Sequence, residues 1–405
     1  MVAIGQKYVA PIAYKRGGIL LFWNRFRWKD AEPCPCGSEI AYKDCCKGKS
    51  KIAEVSKKPP EVLIMEKMRK APGKCCLHPD SANCKGKIKE AHALQNNKII
   101  SILAGSDRHV YMLDTKRQPQ LIALEHGEVV PIVEMNKVSA NKATTQTCFC
   151  DLHDTIAFAV IEKGAPDFDD SREDMKFVYA YKAFIFEYYK QFTALNIFRQ
   201  NFKENPAAFQ DKEMVAMYRM LELKSKEFEP VKVHFDSQIM SGTFDGVTTC
   251  AIEIPEQIKF ANYAYVAPTY DMNGKRIKHT KKGVMHRLAV TIFPEMTRSW
   301  VLMSCLDSEK EIYSSLFQQM KEASVDKLKL YLNMIFPLLS ENMVLSTGLW
   351  DGWDQETQAA YTYYANLNGP SAINMEMAIG VGLRNLAKSK NPDAYKNQPK
   401  LNLFS

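Results

Sequence analysis

The residues best suited to chemistry are cysteines, and they are clustered. Nine of the eleven lie between Cys34 and Cys150, while Cys250 and Cys305 stand alone. In a reducing compartment such clustering points to metal sites more than to disulfides. Cys34, Cys36, Cys45 and Cys46 follow the spacing C-x-C-x8-C-C. Four thiolates within one short segment complete a tetrahedral zinc shell and leave no open position, so this site is read as structural. A second set is spread more widely. Cys76 and Cys84 precede a long insertion, and Cys150 and His153 follow it at C-x2-H. Two ligand pairs bracketing a hairpin form a treble-clef pattern, with a Cys3His zinc set. Cys75, His78 and Cys148 remain alternative ligands at this point. Cys250 and Cys305 sit in apolar contexts and read as buried thiols.

The stretch Pro33-Cys34-Pro35-Cys36-Gly37-Ser38, followed by Tyr42, Cys45, Cys46 and Gly48, resembles the SEC-C motif. That motif is a zinc-binding tail on the translocation ATPase SecA and on many unrelated bacterial proteins. The resemblance implies metal binding and says little about activity, and nothing else in the chain looks like a SecA motor.

The second region carries Glu90-Ala91-His92 and then Phe149-Cys150-Asp151-Leu152-His153-Asp154. It resembles the HNH endonuclease group. That resemblance implies a nuclease in which His92 deprotonates water and Asp154 helps hold Mg2+ or Mn2+ at the scissile phosphate. Departures from the HNH pattern are plain. The middle Asn has only Asn136 and Asn141 as candidates, the last residue is Asp rather than His, and residues 95–142 exceed a minimal HNH hairpin. More loosely, the chain resembles uncharacterised bacterial SEC-C-containing proteins whose setting suggests defence against phage.

Several enzyme classes are disfavoured by missing motifs. There is no GxxxxGK[ST] phosphate loop, no G-x-S-x-G elbow and no HExxH. The longest apolar run near the start, Ile19–Trp23, is far short of the roughly 20 residues that span a bilayer. No signal-peptide pattern is visible, and a cytoplasmic protein with no membrane contact is expected.

Charge suggests partners. Residues 1–100 hold 20 Lys+Arg against 9 Asp+Glu, whereas the whole chain has a formal net charge of only +8. A basic first quarter suits nucleic acid. Phe22, Trp23, Arg25, Phe26, Arg27, Trp28 and Lys29 interleave rings and cations, as a base-stacking surface or a packed hairpin would. Lys275, Arg276, Lys278, His279, Lys281, Lys282, His286 and Arg287 form a second basic cluster, suited to phosphates or to a solvated turn. A protein partner, docking through the zinc modules or the C-terminal body, is the competing expectation.

The elements that must position these groups are α+β. Small zinc modules at the N-terminus precede a helical segment and an antiparallel sheet with flanking helices. The expected divisions are 1–33, an aromatic and basic segment; 34–48, the SEC-C motif; 49–70, a basic linker and short helix; 71–165, the treble-clef module; and 166–405, a body of unassigned function. Leu121–Ile132 alternates as strands do. Phe177, Tyr181, Phe184, Ile185 and Tyr188 mark one helical face within residues 170–228. VKVHF, TTCAIEI, ANYAYVA, HRLAVTIF and SWVLMSC read as strands of a four- or five-stranded sheet, with Asn273-Gly274 as a hairpin turn. Asp307 is expected to cap the next helix, and Pro337 to break or kink the one after it. Gly380 and Gly382 suit a helix-to-turn contact, and the tail from Lys388 is expected to fray.

Overall fold

The structure is a computed structural model describing residues 28–49, 63–64, 66–67, 73–114, 117, 119–123, 129–162, 164–281, 284–367, 369–389, 391, 393–396 and 399–405. The aromatic and basic positions before Trp28, and most of the linker, lie outside the described residues. The fold is α+β, with nine α-helices among the described residues. No helix among them is long and apolar enough to cross a membrane.

Among the described residues, six short strands lie between Cys84 and Asp151. These are β1 (Ile88–His92), β2 (His109–Leu113), β3 (Gln120–Ala123), β4 (Val129–Ile132), β5 (Met135–Ser139) and β6 (Thr145–Cys150). A one-turn helix α1 (Ser101–Ala104) precedes β2, and α2 (Asp151–Phe158) follows β6. Two long helices come next, α3 (Glu173–Glu204) and α4 (Lys212–Ser241). The remainder runs β7 (Val247–Ile254), β8 (Phe260–Val266), β9 (Thr280–Lys281), β10 (Val284–Met285), β11 (Leu288–Pro294), β12 (Ser299–Leu306), α5 (Lys310–Glu322), α6 (Val325–Leu339), β13 (Val344–Ser346), α7 (Thr347–Gly352), α8 (Gln355–Ala365) and α9 (Gly369–Lys388).

The chain forms two compact units. One comprises residues up to Ile64 together with Ala194–Lys224, and the other Met65–Thr193 together with Ser225–Ser405. In the first unit, Tyr42 packs on Phe209 at 4.8 Å between ring centroids, and Phe209 stacks on Phe202 at 4.4 Å. Trp28 packs on Tyr218 at 5.5 Å, and the Arg219 guanidinium sits 3.4 Å above the Trp28 ring. Arg219 also pairs with Glu32. The cysteine motif thus borrows its core from Phe209, in the 3-10 turn Pro206–Gln210 between α3 and α4, and from aromatic side chains of those helices, which a segment so short could not supply itself.

The second unit is built on a seven-stranded antiparallel sheet in the order β5-β2-β13-β8-β11-β12-β7. The expected sheet had four or five strands. It is wider because β2 and β5, from the cysteine/histidine region, and the short β13 extend one side. Side chains alternate across it with a period of two. Ala289, Phe293, Trp300 and Leu302 face one core with Phe149, Phe184 and Phe235. Val290, Ile292, Val301 and Met303 face the other, against Tyr313, Leu316, Tyr331 and Phe336. Both sheet faces are therefore buried beneath helices.

Three local expectations are corrected. VKVHF is not a strand but part of α4. Its β-branched residues favour a strand, yet Phe228, Val231 and Phe235 are buried at helical spacing while Val233 is exposed. Burial of that stripe outweighs propensity and tolerates Pro230 within the helix. Asp307 does not cap α5; its carboxylate accepts a hydrogen bond from the Thr248 hydroxyl at 2.5 Å. The chain end is docked: Leu403 is fully buried, and its amide donates to Asn333 Oδ1 at 2.9 Å. Pro337 lies in the last turns of α6, which continues to Leu339.

The Asn273-Gly274 turn closes on Asp271, whose Oδ1 accepts from the amides of Asn273 and Lys275. Gly274 has φ +72°, and a Cβ there would lie 2.4 Å from Gly380 O and 2.5 Å from Arg384 N. Gly380 in turn abuts the Tyr270 ring, so the turn and α9 meet backbone to backbone. Gly274→Ala is expected to cost about 2 kcal/mol or more, from left-handed backbone strain plus an unyielding backbone clash. Chemical denaturation would check it; an unchanged midpoint would show that the contact relaxes freely.

Candidate metal centres

Each cluster is assembled by a different local device. In the first, Pro33 and Ala41 form a bridge, the Cys34 amide donates to Ile40 O at 2.8 Å, and the Tyr42 amide donates to Glu32 O at 2.9 Å. Gly37, at φ +82°, lets the chain double back between Cys36 and the later pair. The Sγ atoms of Cys36 and Cys45 lie 3.6 Å apart, and those of Cys45 and Cys46 lie 3.8 Å apart. Four thiolates around one zinc, at bond lengths of about 2.3 Å, would be about 3.8 Å apart. These distances fit that edge and exceed a disulfide bond of about 2.05 Å. All the cysteines are free thiols.

Electrostatics agree with a cation at this point. Burial pushes the Cys34 thiol up to about 11 and raises Cys46 further. Burial also opposes ionisation of Cys36, but the Ser38 hydroxyl and the Cys34 thiol bring it down to about 7. Crowded thiols resist becoming several thiolates together unless a positive ion neutralises them.

In the second cluster, the donor atoms of Cys76, Cys84, Cys150 and His153 lie within 4.8 Å of one another. The approach is fixed by backbone pairing. Cys75 N donates to Thr147 O and Leu77 N to Cys148 O, which holds Cys76 beside β6. The Lys85 and Lys87 carbonyls accept from the Leu152 and Asp151 amides, which ties the Cys84 segment to the start of α2. Gly86, at φ +80°, is required because a Cβ would lie 2.7 Å from that of Asp151. Cys150 ends β6 and His153 lies in the first turn of α2, so both face one point.

His153 Nδ1 is 3.3 Å from Cys76 Sγ, 3.6 Å from Cys84 Sγ and 3.3 Å from Cys150 Sγ. A tetrahedral zinc with three sulfurs and one nitrogen would set these near 3.6 Å, so the donor set fits zinc. Burial works against the Cys150 thiolate, but the His153 and Lys85 amides hold its thiol below the ordinary range. Of the alternative ligands, His78 is outside the set and stacks on His153 at 3.9 Å, with its Nδ1 accepting from the Asp80 amide. Cys148 is fully buried in the apolar core, and Cys75 is half-buried.

His92 and Asp154 occupy different surroundings. β1 pairs with β6 so that Ile88 lies opposite Cys150 and His92 opposite Thr145. His92 is therefore about 13 Å along the strand from the end paired with Cys150. Its Nδ1–H donates to Ala143 O at 2.9 Å. Asp154 lies one residue beyond His153, with Lys89 Nζ 3.8 Å from its carboxylate. Burial raises the Asp154 pKa, and Lys182 opposes that rise. Among the described residues, neither His92 nor Asp154 joins a group of three or more metal-capable donors. Asn136 lies on β5 and accepts from Arg117, while Asn141 accepts from Asn96.

Lys182 was not singled out by the sequence. It is nearly buried, pairs with Glu162 and sits 4.5 Å from the Phe158 ring centroid. A lysine within the apolar stripe from Phe177 to Phe186 was the available signal. The second basic cluster divides. Arg287 turns inward to Glu227 at 2.8 Å and His286 to Glu309 at 2.7 Å, whereas Lys275, Arg276 and Lys278 are exposed.

These geometries set the comparison with known proteins. Residues 31–47 match the SEC-C motif. The match covers the first cluster and its flanks, not the second. No curated protein and no solved structure matches the chain.

Proposed function

We propose that this protein is a zinc-stapled docking protein. Both clusters hold structural Zn2+, and the chain acts by binding a protein or nucleic-acid partner. One observation carries the reading: among the described residues each cluster is a set of four converging donors, while Asp154, with Lys182, Glu162, Lys89 and Asp151 as its charged neighbours, belongs to neither set. A lysine ammonium beside a carboxylate supplies the positive charge that a divalent ion would otherwise bring. The SEC-C match supports metal binding at the first cluster. Zinc bound there would pin the loop between Cys36 and Cys45, and in the second cluster it would pin the Cys84 segment to α2.

The HNH-like reading is kept as a second one because of His92. Its Nδ1 bond to Ala143 O fixes the ring in the manner that orients a general base. Supercoiled DNA and single-stranded RNA, incubated with magnesium, manganese or EDTA, separate the two. The docking reading expects no cutting by wild type or by His92→Ala. Metal-dependent cutting by wild type that His92→Ala abolishes would establish the nuclease instead.

A further inference from the structure

The four donors of the second cluster are unequally shielded. Cys150 and His153 are buried, Cys76 is half-buried and Cys84 is exposed. In the first cluster Cys34 and Cys46 are buried, and Cys36 and Cys45 are half-buried. Zinc keeps its cysteine ligands as thiolates, the form that oxidants attack, so exposure decides which is reached first. Cys84 follows a single 3-10 turn, Ser81–Asn83, and precedes the strand β1, outside regular structure. Its Sγ and that of Cys76 lie within 4.8 Å of each other. A resolving thiolate is therefore at hand.

We propose that Cys84 is an oxidation site through which peroxide releases zinc from the second cluster; this rests on the zinc reading above. The chemistry balances with a peroxide as the two-electron oxidant. The Cys84 thiolate attacks one peroxide oxygen, the O–O bond breaks, and hydroxide leaves, giving a sulfenic acid. The Cys76 thiolate then attacks the Cys84 sulfur, the S–O bond breaks, and a second hydroxide leaves as the disulfide forms. Two sulfurs are oxidised and one peroxide is reduced. The metal loses two of its four donors, and Cys150 and His153 alone make a poor zinc site. The first cluster, with no exposed thiolate, keeps its metal under the same dose.

The test uses full-length, zinc-loaded protein titrated with hydrogen peroxide. Zinc release is followed with a chromogenic chelator, and oxidised cysteines are mapped by peptide mass spectrometry. The expected result is loss of one zinc before the other, with an early Cys76–Cys84 disulfide. Cys84→His keeps a fourth donor and removes the thiol, and it should slow that release on the order of tenfold. Early oxidation confined to Cys34–Cys46, or equally fast release from Cys84→His, would overturn the proposal. If Cys84→His does not hold zinc, the order of oxidation in the wild-type peptides decides alone. Zinc content before peroxide is added tells failure of the zinc reading from failure of this one.

Discussion

Cys150→Ala is expected to lose one zinc per chain and about 5 kcal/mol or more of stability, a large share of what holds a domain folded. The reason is positional. Cys150 ends β6, occupies the N-cap position of α2 and stands three residues before His153, so its loss would remove a donor where strand and helix join. The neighbouring Phe149 and Phe158 would then pack against a helix without its anchor. Denaturant unfolding with and without chelator checks this. Wild type should fall toward the variant when metal is stripped, and the variant should ignore the chelator at the second cluster. A variant as stable as wild type, with both zincs retained, would mean that Cys150 is not a ligand.

Phe149→Ala should cost about 3–5 kcal/mol, the range for emptying a buried aromatic site. Phe149 has no exposed surface and lies between Cys148 and Cys150 on β6. Its ring meets Phe158 edge-on at 5.2 Å and Tyr181 at 6.5 Å, so it joins the cluster-bearing strand to α3. Because Phe149 and Cys150 share one strand, their effects should be less than additive in the double variant. Calorimetry or denaturant titration of both singles and the double measures this coupling. Full additivity would show that the metal site and the aromatic core are energetically separate.

The two donor sets were legible in the sequence because metal-ligand spacing is local and chemically narrow. Four cysteines within one short loop, and a C-x2-H pair at a strand-to-helix junction, leave few arrangements. Choosing Cys76 over Cys75 was harder. The two are adjacent, and only the backbone pairing to Thr147 and Cys148 decides which converges with Cys84, Cys150 and His153. The strands after residue 246 were readable from their β-branched and aromatic runs between turn residues, since TTCAIEI, ANYAYVA, HRLAVTIF and SWVLMSC contribute strands to the sheet. What escaped was non-local. VKVHF carries a strand's composition and a helix's burial, and burial prevailed. The inward turn of Arg287 and His286 depended on Glu227 and Glu309, residues remote in sequence. Lys182 was hidden for the same reason, because its partner Glu162 belongs to another segment.

We expect two closed zinc sites on this chain, one at each cluster. Native mass spectrometry of full-length protein, purified without added metal and repeated with Cys34→Ser and Cys76→Ser, counts them. Two zinc ions on wild type and one on each variant is the predicted result. A single ion on wild type, unaffected by Cys76→Ser, would contradict that expectation and leave the second cluster as a set of thiols that merely pack together.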